Sequence, residues 1–414
     1  MTDYTDVTNY IQRIMPAIEK PALSKMPFPS LSISYGQYYP SLFCWDNHHM
    51  AMRFGYAGKP EYLKFLIATL LHYQTDDGCT PNCVSAKEGS CQFAPRFHAQ
   101  PFLMQCALMY LSQTGDTDEI KKQFDKLVSY LSFYEKFYSA PNRLFRWPVD
   151  WMSGFDNDIA TCIFQPGTII SADLSSWMVL EYRSAAQISK KLGKLEQHKC
   201  FMEKANKLSQ LINEILWNEE MGSYSAYNLC SGKHQFSYED ACLDSEIGRY
   251  AFQTCSNLIP LYARIADKDR ASVMIEKYIL SNDHFACSFG IRSLSKSSEY
   301  YNNAVWGNPP RFGDHRRLTN SNWQGPVWIP LNYFMFHALN NYGYKKEAQE
   351  VADKTIKLLA MSLKNIGSFA ENYHADTGEP LYAREFASWN ILADMMHKEG
   401  SEVEWCMEPV FEIS

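Results

Sequence analysis

No stretch of this 414-residue sequence is long and apolar enough to span a bilayer, which excludes a helical membrane anchor. The opening Met1-Thr2-Asp3-Tyr4-Thr5-Asp6 has no basic start and no apolar run behind it. That predicts no secretory leader and a cytoplasmic location. Excess positive charge is missing too. Lys and Arg total 39 against 46 Asp and Glu, for a net charge of -7, so neither nucleic acid nor a membrane surface is an expected partner. The chain also lacks a glycine-rich phosphate loop, a Gly-x-Ser-x-Gly elbow and a His-Glu-x-x-His pair; His48 and His49 are adjacent rather than four apart. Nucleotide, serine-hydrolase and zinc-protease chemistries lose their signatures with them. Paired Cys-x-x-Cys knuckles are absent. Cys79, Cys83 and Cys91 with His98 make only a weak zinc candidate, and the 12 cysteines read as reduced, mostly buried hydrophobes. No cofactor and no metal are expected. Strand-like alternation is scarce and confined to short pieces such as 223–227.

Helical periodicity is present nearly everywhere. Hydrophobic residues make up 46% of the chain, enough for a large core, and they recur at i, i+3, i+4 and i+7. Val7, Ile11, Ile14 and Ile18 mark 5–19. Similar patterns with many Lys and Glu cover 117–138, 197–217 and 344–364, and two further amphipathic segments cover 60–74 and 268–280. Between them lie less charged segments at 46–57, 99–113, 172–192, 249–265, 325–342 and 384–397. A helix that is apolar nearly all round must be buried on most sides. Six such helices alternating with six wet ones predict an all-α (α/α)6 toroid, an inner barrel of six inside a ring of six. It would be one catalytic domain over 1–414. The alternative is an irregular α-solenoid.

The connections from wet to dry helices are the long ones, about 30–45, 75–98, 140–171, 222–248, 281–323 and 365–383. In an alternating toroid they open on one face. They carry Phe43-Cys44-Trp45-Asp46-Asn47, His98-Ala99-Gln100-Pro101, Trp151 through Asp158, Tyr238-Glu239-Asp240, Asn322 through Trp328, and Phe369-Ala370-Glu371-Asn372-Tyr373. Carboxylates, carboxamides and indoles together suit a neutral, polyhydroxylated ligand, because sugar rings stack on aromatic planes while their hydroxyls need polar partners. Two separate carboxylates in that setting are what glycoside hydrolysis needs. On the residues alone, Asp156 and Asp158 are rivals, since either can cap the helix that follows. Glu371 lies between Phe369 and Tyr373, which predicts partial burial. Asp76-Asp77-Gly78 reads as a turn. His72, His98, His284 and His337 read as structural. Competing functions are a sugar 2-epimerase or isomerase on the same ring, with His48 and His49 in the funnel, a non-catalytic helical scaffold, and a prenyl-type cyclase.

Ser153-Gly154-Phe155-Asp156-Asn157, Trp323-Gln324-Gly325-Pro326-Val327-Trp328 and Glu371-Asn372-Tyr373 followed by Thr377-Gly378 resemble glycoside hydrolase family 63, with the trehalases of family 37 as relatives. Trp45-Asp46, Gln100-Pro101 and Phe289 through Leu294 match family segments as well, so the resemblance runs from about Phe43 to Trp389. It implies an (α/α)6 barrel that hydrolyses α-glycosides with inversion. By the same resemblance Asp156 is the general acid and Glu371 the general base, and Asp46, Gln100, Trp323 and Trp328 hold the sugar. Tyr38, Phe43, Trp45, Trp151, Asn157 and Gln324 join the candidate substrate contacts from the same loops. Met152 departs from the pattern, because family members often have Glu there. The large inserted domains of oligosaccharide-processing members are missing, which predicts a small substrate. Arg311, His315, Arg316 and Arg317 form a basic run in a net acidic chain. Arg311 is the candidate contact to an anionic aglycone such as glycerate.

Overall fold

The computed structural model describes residues 2–36, 41–90, 97–234, 253–298, 300–305 and 321–399. Among them, thirteen α-helices carry the fold, and no strand exceeds three residues. The first five are α1 (Thr2–Ile18), α2 (Cys44–Tyr56), α3 (Glu61–His72), α4 (Leu103–Thr114) and α5 (Thr117–Phe137). Next come α6 (Ile159–Cys162), α7 (Ala172–Lys191), α8 (Leu195–Ile215), α9 (Ile259–Tyr262) and α10 (Lys268–Met274). The last three are α11 (Ile329–Asn341), α12 (Lys345–Ile366) and α13 (Ala393–Glu399). Twelve of these fall on the twelve predicted segments. The extra one, α6, is a single turn capped by Asp158, too short to leave a periodic signal. Two dry segments are more broken than the pattern suggests: 3-10 turns at Cys255–Leu258 and Ser388–Leu392 lead into α9 and α13. No helix of the described residues is long and apolar enough to cross a membrane.

The contrast between dry and wet helices holds at most positions. α2 and α11 each bury eleven of 13 residues, whereas α5 buries seven of 21 and α12 eight of 22. α7 is buried at every residue from Ala172 to Ser189. α3 departs from expectation, with eight of its 12 residues buried, because it packs against α2, α4 and α5 together.

Local sequence explains the tight turns. Gly115 takes φ +69 to end α4, its N–H bonding to the Leu111 carbonyl, and Asp116 then caps α5 by accepting from the Glu119 N–H. α4 has no cap of its own; its N-cap is Phe102. Glu181 of α7 substitutes, taking the N–H groups of Met104 at 3.0 Å and Gln105 at 3.1 Å. Glu181 is fully buried, and burial raises its pKa to about 7 against the opposing pull of those hydrogen bonds.

The chain divides into two units. The first comprises residues 1–7, 140–176 and 208–384; the second comprises 8–139, 177–207 and 385–414. Within the second unit, distant segments close on one another. Ala387 N–H donates to the Ile33 carbonyl at 2.9 Å. Arg53 of α2 forms a bidentate ion pair with Asp394 of α13, both bonds 2.8 Å, with side-chain exposures of 4% and 0%.

Candidate active site

In the first unit, two loops carry the candidate catalytic carboxylates and a third joins them. The first begins with a 3-10 turn, Asp150–Ser153, in which Ser153 Oγ donates to the Asp150 carbonyl and accepts the Phe155 N–H. A β-turn follows. Asp158 N–H bonds to the Phe155 carbonyl at 2.9 Å, and Asn157 adopts φ +62. Positive φ at the third turn position suits Asn among non-glycine residues. Asp156 therefore stands at the tip of the turn and is half-buried.

Asp158 takes the capping role that the sequence left open for either acid. It is buried, its Oδ1 accepts the Ala160 N–H at 3.0 Å, and its Oδ2 accepts from Thr254 Oγ1 at 3.3 Å. Burial raises its pKa to about 7. Met152 is buried in the preceding turn. Trp151 is 41% exposed, an indole presented at the surface of the loop that bears Asp156.

The second loop, Asn322–Trp328, runs from the first to the third. Trp323 N–H donates to the Asp156 carbonyl at 3.2 Å, and its ring meets Phe155 edge-on at 4.7 Å. Trp328 stacks on Trp323 at 4.5 Å and donates its indole N–H to the Asn322 carbonyl. Both indoles are almost fully buried, so they build the floor of this loop. The Gln324 side chain is also buried. Its Nε2 donates to the Asn157 carbonyl at 2.9 Å, and its Oε1 accepts from Asn302 Nδ2 at 3.0 Å. Two expected sugar contacts, Gln324 and Asn157, are thus engaged in loop-to-loop bonds.

At its other end the strip pairs with the third loop, where Val327 and Tyr373 exchange both backbone hydrogen bonds, at 2.8 and 3.0 Å. Glu371, half-buried, lies in a hairpin bridged at Ala370–Arg384 and Tyr373–Pro380. The return strand has one residue more than the outgoing strand between those bridges. This is a β-bulge at the candidate base, a device that re-aims side chains. The five residues Trp323–Val327 therefore span from the backbone of Asp156 to a residue two beyond Glu371.

The hairpin tip is held as well. Asp376 accepts from Arg292 Nη2 at 3.3 Å, from Tyr301 Oη at 3.0 Å and from Asn303 Nδ2 at 3.3 Å. Burial pushes its pKa up, but the Tyr301 and Arg292 bonds and the Arg292 charge outweigh it and hold the carboxyl below its ordinary value. Sequence reading missed Arg292, Tyr301, Asn302, Asn303 and Asp376 as supports, since only contacts across distant segments reveal them.

In the second unit, Trp45 and Asp46 lie in the first turn of α2, and Gln100 just before α4. Cys44 Sγ donates to the Gln100 carbonyl at 3.7 Å, and Trp45 packs on Phe102 at 5.5 Å, which brings the expected sugar-binding trio together. Ser388, unforeseen from the sequence, donates to Asp46 Oδ1 at 2.7 Å. Burial raises the Asp46 pKa to about 6 against that bond. Phe43 is half-buried, ahead of α2. His48 stacks on Phe102 at 4.2 Å and contacts Cys106 Sγ at 3.2 Å, and His49 bonds to the Trp45 carbonyl. Both are buried, and desolvation lowers both pKa values. Both rings are taken up by contacts within the core, which favours a structural role over that of a base in the epimerase reading. His98 bonds through Nδ1 to the Thr80 N–H and through Nε2 to the Tyr130 carbonyl, the structural role expected of it. Tyr38, Cys91, Tyr238, Glu239, Asp240, Arg311, His315, Arg316 and Arg317 lie outside the described residues. Among the described residues, no three His, Cys, Asp or Glu side chains cluster to hold a metal.

A family model described as the mannosylglycerate hydrolase MGH1-like glycoside hydrolase domain matches residues 39–389. A mannosylglycerate hydrolase from Rubrobacter radiotolerans is 28% identical over 176 residues, 42% of this chain and 33% of that protein. A periplasmic trehalase from Escherichia coli O1:K1 is 26% identical over 203 residues, 49% of this chain and 28% of that protein. These matches thus span about a third of the length of the curated relatives. Among solved structures, the family 63 mannosylglycerate hydrolase from Thermus thermophilus in complex with Tris and D-glycerate gives a TM-score of 0.68 at 17% identity, covering 95% of this chain and 98% of that one. Neutral trehalase Nth1 from Saccharomyces cerevisiae gives 0.65 at 14% identity, covering 94% and 79%. The fold class is accordingly the all-α (α/α)6 class of these enzymes.

Proposed function

Since the chain belongs to the mannosylglycerate hydrolase MGH1-like family of glycoside hydrolases, we propose that it hydrolyses a small α-glucoside or α-mannoside with inversion, as one catalytic domain. Asp156 acts as general acid and protonates the leaving oxygen. Glu371 acts as general base and takes a proton from the attacking water. The observation that carries this reading is the Trp323–Val327 strip, which hydrogen-bonds to the Asp156 carbonyl at one end and to Tyr373, beside Glu371, at the other. Two half-buried carboxylates on loops of fixed mutual register suit acid–base work, for which a separation of roughly 6.5–9.5 Å leaves room for a water. The exposed Trp151 offers a stacking face, and Asp46 and Gln100 are assigned to sugar hydroxyls.

A glycosyl-glycerate is the favoured substrate. The names of the Rubrobacter and Thermus relatives support it, as does the basic run in this sequence at Arg311, His315, Arg316 and Arg317. The test is a comparison of mannosyl- and glucosyl-glycerate with the matching glycosyl-glycerols, in wild type and in Arg311→Ala, Arg316→Ala and Arg317→Ala. Wild type is expected to prefer the acid and at least one variant to lose that preference. Asp156→Asn and Glu371→Gln should each lower kcat by about 10²–10⁴-fold without unfolding the chain. Proton NMR of a fresh digest should show the β-anomer first. Early release of the α-anomer, or full activity in either carboxylate variant, would refute the assignment.

A further inference from the structure

Gln324 and Gly325 sit at the centre of the catalytic loops, yet neither side of Gln324 is turned to a ligand. Three acceptor–donor pairs converge there. The Gln324 amide bonds to the Asn157 carbonyl at 2.9 Å and to Asn302 Nδ2 at 3.0 Å, and the Gln324 carbonyl accepts the Asn302 N–H at 3.0 Å. The neighbouring Trp323 N–H holds the Asp156 carbonyl. Consecutive carbonyls of the Asp156 turn are therefore gripped by consecutive residues of the strip. Asn302 backs the strip closely. A Cβ on Gly325 would collide with the Asn302 carbonyl oxygen, so only glycine allows this approach. The gripped turn contains Asn157 at φ +62, a region that Asn enters more readily than other non-glycine residues but still less readily than glycine.

We propose that Gln324, braced by Asn302, is a positioning residue that aims Asp156 at the leaving-group oxygen. The proposal rests on the reading of Asp156 as general acid. The amide acts on the peptide that follows Asn157, next to the peptide after Asp156 that the Trp323 N–H holds. Without it the turn can rotate, and the carboxyl loses its line to the glycosidic oxygen while the opposite side of the strip, at Val327 and Tyr373, stays paired.

The chemistry supplies a selective readout. Cleavage of a glycosyl-glycerate breaks the bond from the anomeric carbon to the aglycone oxygen, and the departing oxygen takes the acid's proton. Cleavage of the matching α-glycosyl fluoride expels fluoride with no proton from the acid, yet still needs the base and its water. Gln324→Leu and Asn302→Ala are compared with Asp156→Asn on both substrates, after thermal melts establish which variants fold. A misplacement of this kind costs on the order of 10²-fold. The expected result is a fall of about 10–100-fold in kcat on the glycosyl-glycerate, with KM and fluoride hydrolysis within about twofold of wild type. Asp156→Asn should show the same contrast more strongly. An equal loss on both substrates in the Gln324 and Asn302 variants, or no loss on either, overturns the positioning role while Asp156→Asn keeps its contrast. If Asp156→Asn itself shows no contrast, the general-acid assignment fails and takes this proposal with it. If Gln324→Leu does not fold, Asn302→Ala decides, since it removes the brace and leaves the Gln324 side chain intact.

Discussion

Asp156 and Asp158 are two residues apart and have opposite circumstances. Asp156 sits half-buried at the tip of a turn, whereas Asp158 is sealed below it against Ala160 and Thr254. Burial holds the Asp158 pKa near 7, well above its ordinary value of 3.8. A carboxyl whose pKa is raised by folding favours the folded state while protonated. Its contribution is complete below about pH 4 and is lost as pH rises through about 7. Asn resembles the protonated form: its oxygen can keep the Ala160 N–H while its amide donates to Thr254. Asp158→Asn is therefore expected to flatten the decline of Tm between pH 4 and 7 and to lower kcat far less than Asp156→Asn. Melting curves across that range, with kcat for both variants, check this. A steeper pH dependence in Asp158→Asn would contradict the burial argument. On the residues alone these two acids are rivals because both precede a helix, and in the sequence the family resemblance alone favours Asp156. The path of the turn gives their difference in burial a physical cause.

Among elements, the dependence of α4 on α7 makes the sharpest expectation. Glu181 supplies both acceptors for the first N–H groups of α4, and each buried donor left unpaired costs roughly 1–3 kcal/mol. Glu181→Ala should lower stability by on the order of 3 kcal/mol, measured by urea unfolding, whereas Glu181→Gln keeps one acceptor and loses less. No sequence rule announces such a cap, because its two parts lie more than 70 residues apart. The helices themselves were legible, since alternation of apolar and charged periodicity is a property of single segments. α3 misled because its burial is imposed by three neighbours, and α6 because one turn has no period. The site was legible in part for the same reason. The Trp, carboxylate and carboxamide residues scattered ahead of the dry helices could be read off. That Gln324 and Asn157 bind each other's loop, and that Ser388 meets Asp46, depends on pairings between distant segments.

At the scale of the whole molecule, the second unit is assembled from three separate stretches of chain. Its early and late stretches meet through Ile33 with Ala387, Asp46 with Ser388, and Arg53 with Asp394. The last is a buried, bidentate ion pair, and removing one member leaves the other charge unpaired in the core. Asp394→Ala should cost about 3–5 kcal/mol, and the double variant Arg53→Met/Asp394→Leu should recover much of that loss. Denaturant titration of the three proteins checks both numbers, and an additive double variant would show that the pair is uncoupled. The same closure bears on how the protein is made. Arg53 and Asp394 are separated by 341 positions. At about 5–20 residues per second on the ribosome, α2 waits roughly 20–70 s for the partner of its buried guanidinium. α3 and α4 emerge early enough to cover part of α2, but the face that meets Ser388–Leu392 and Asp394 stays open to chaperones until the end of synthesis, so slower translation of the last stretch is expected to lower the yield of folded protein.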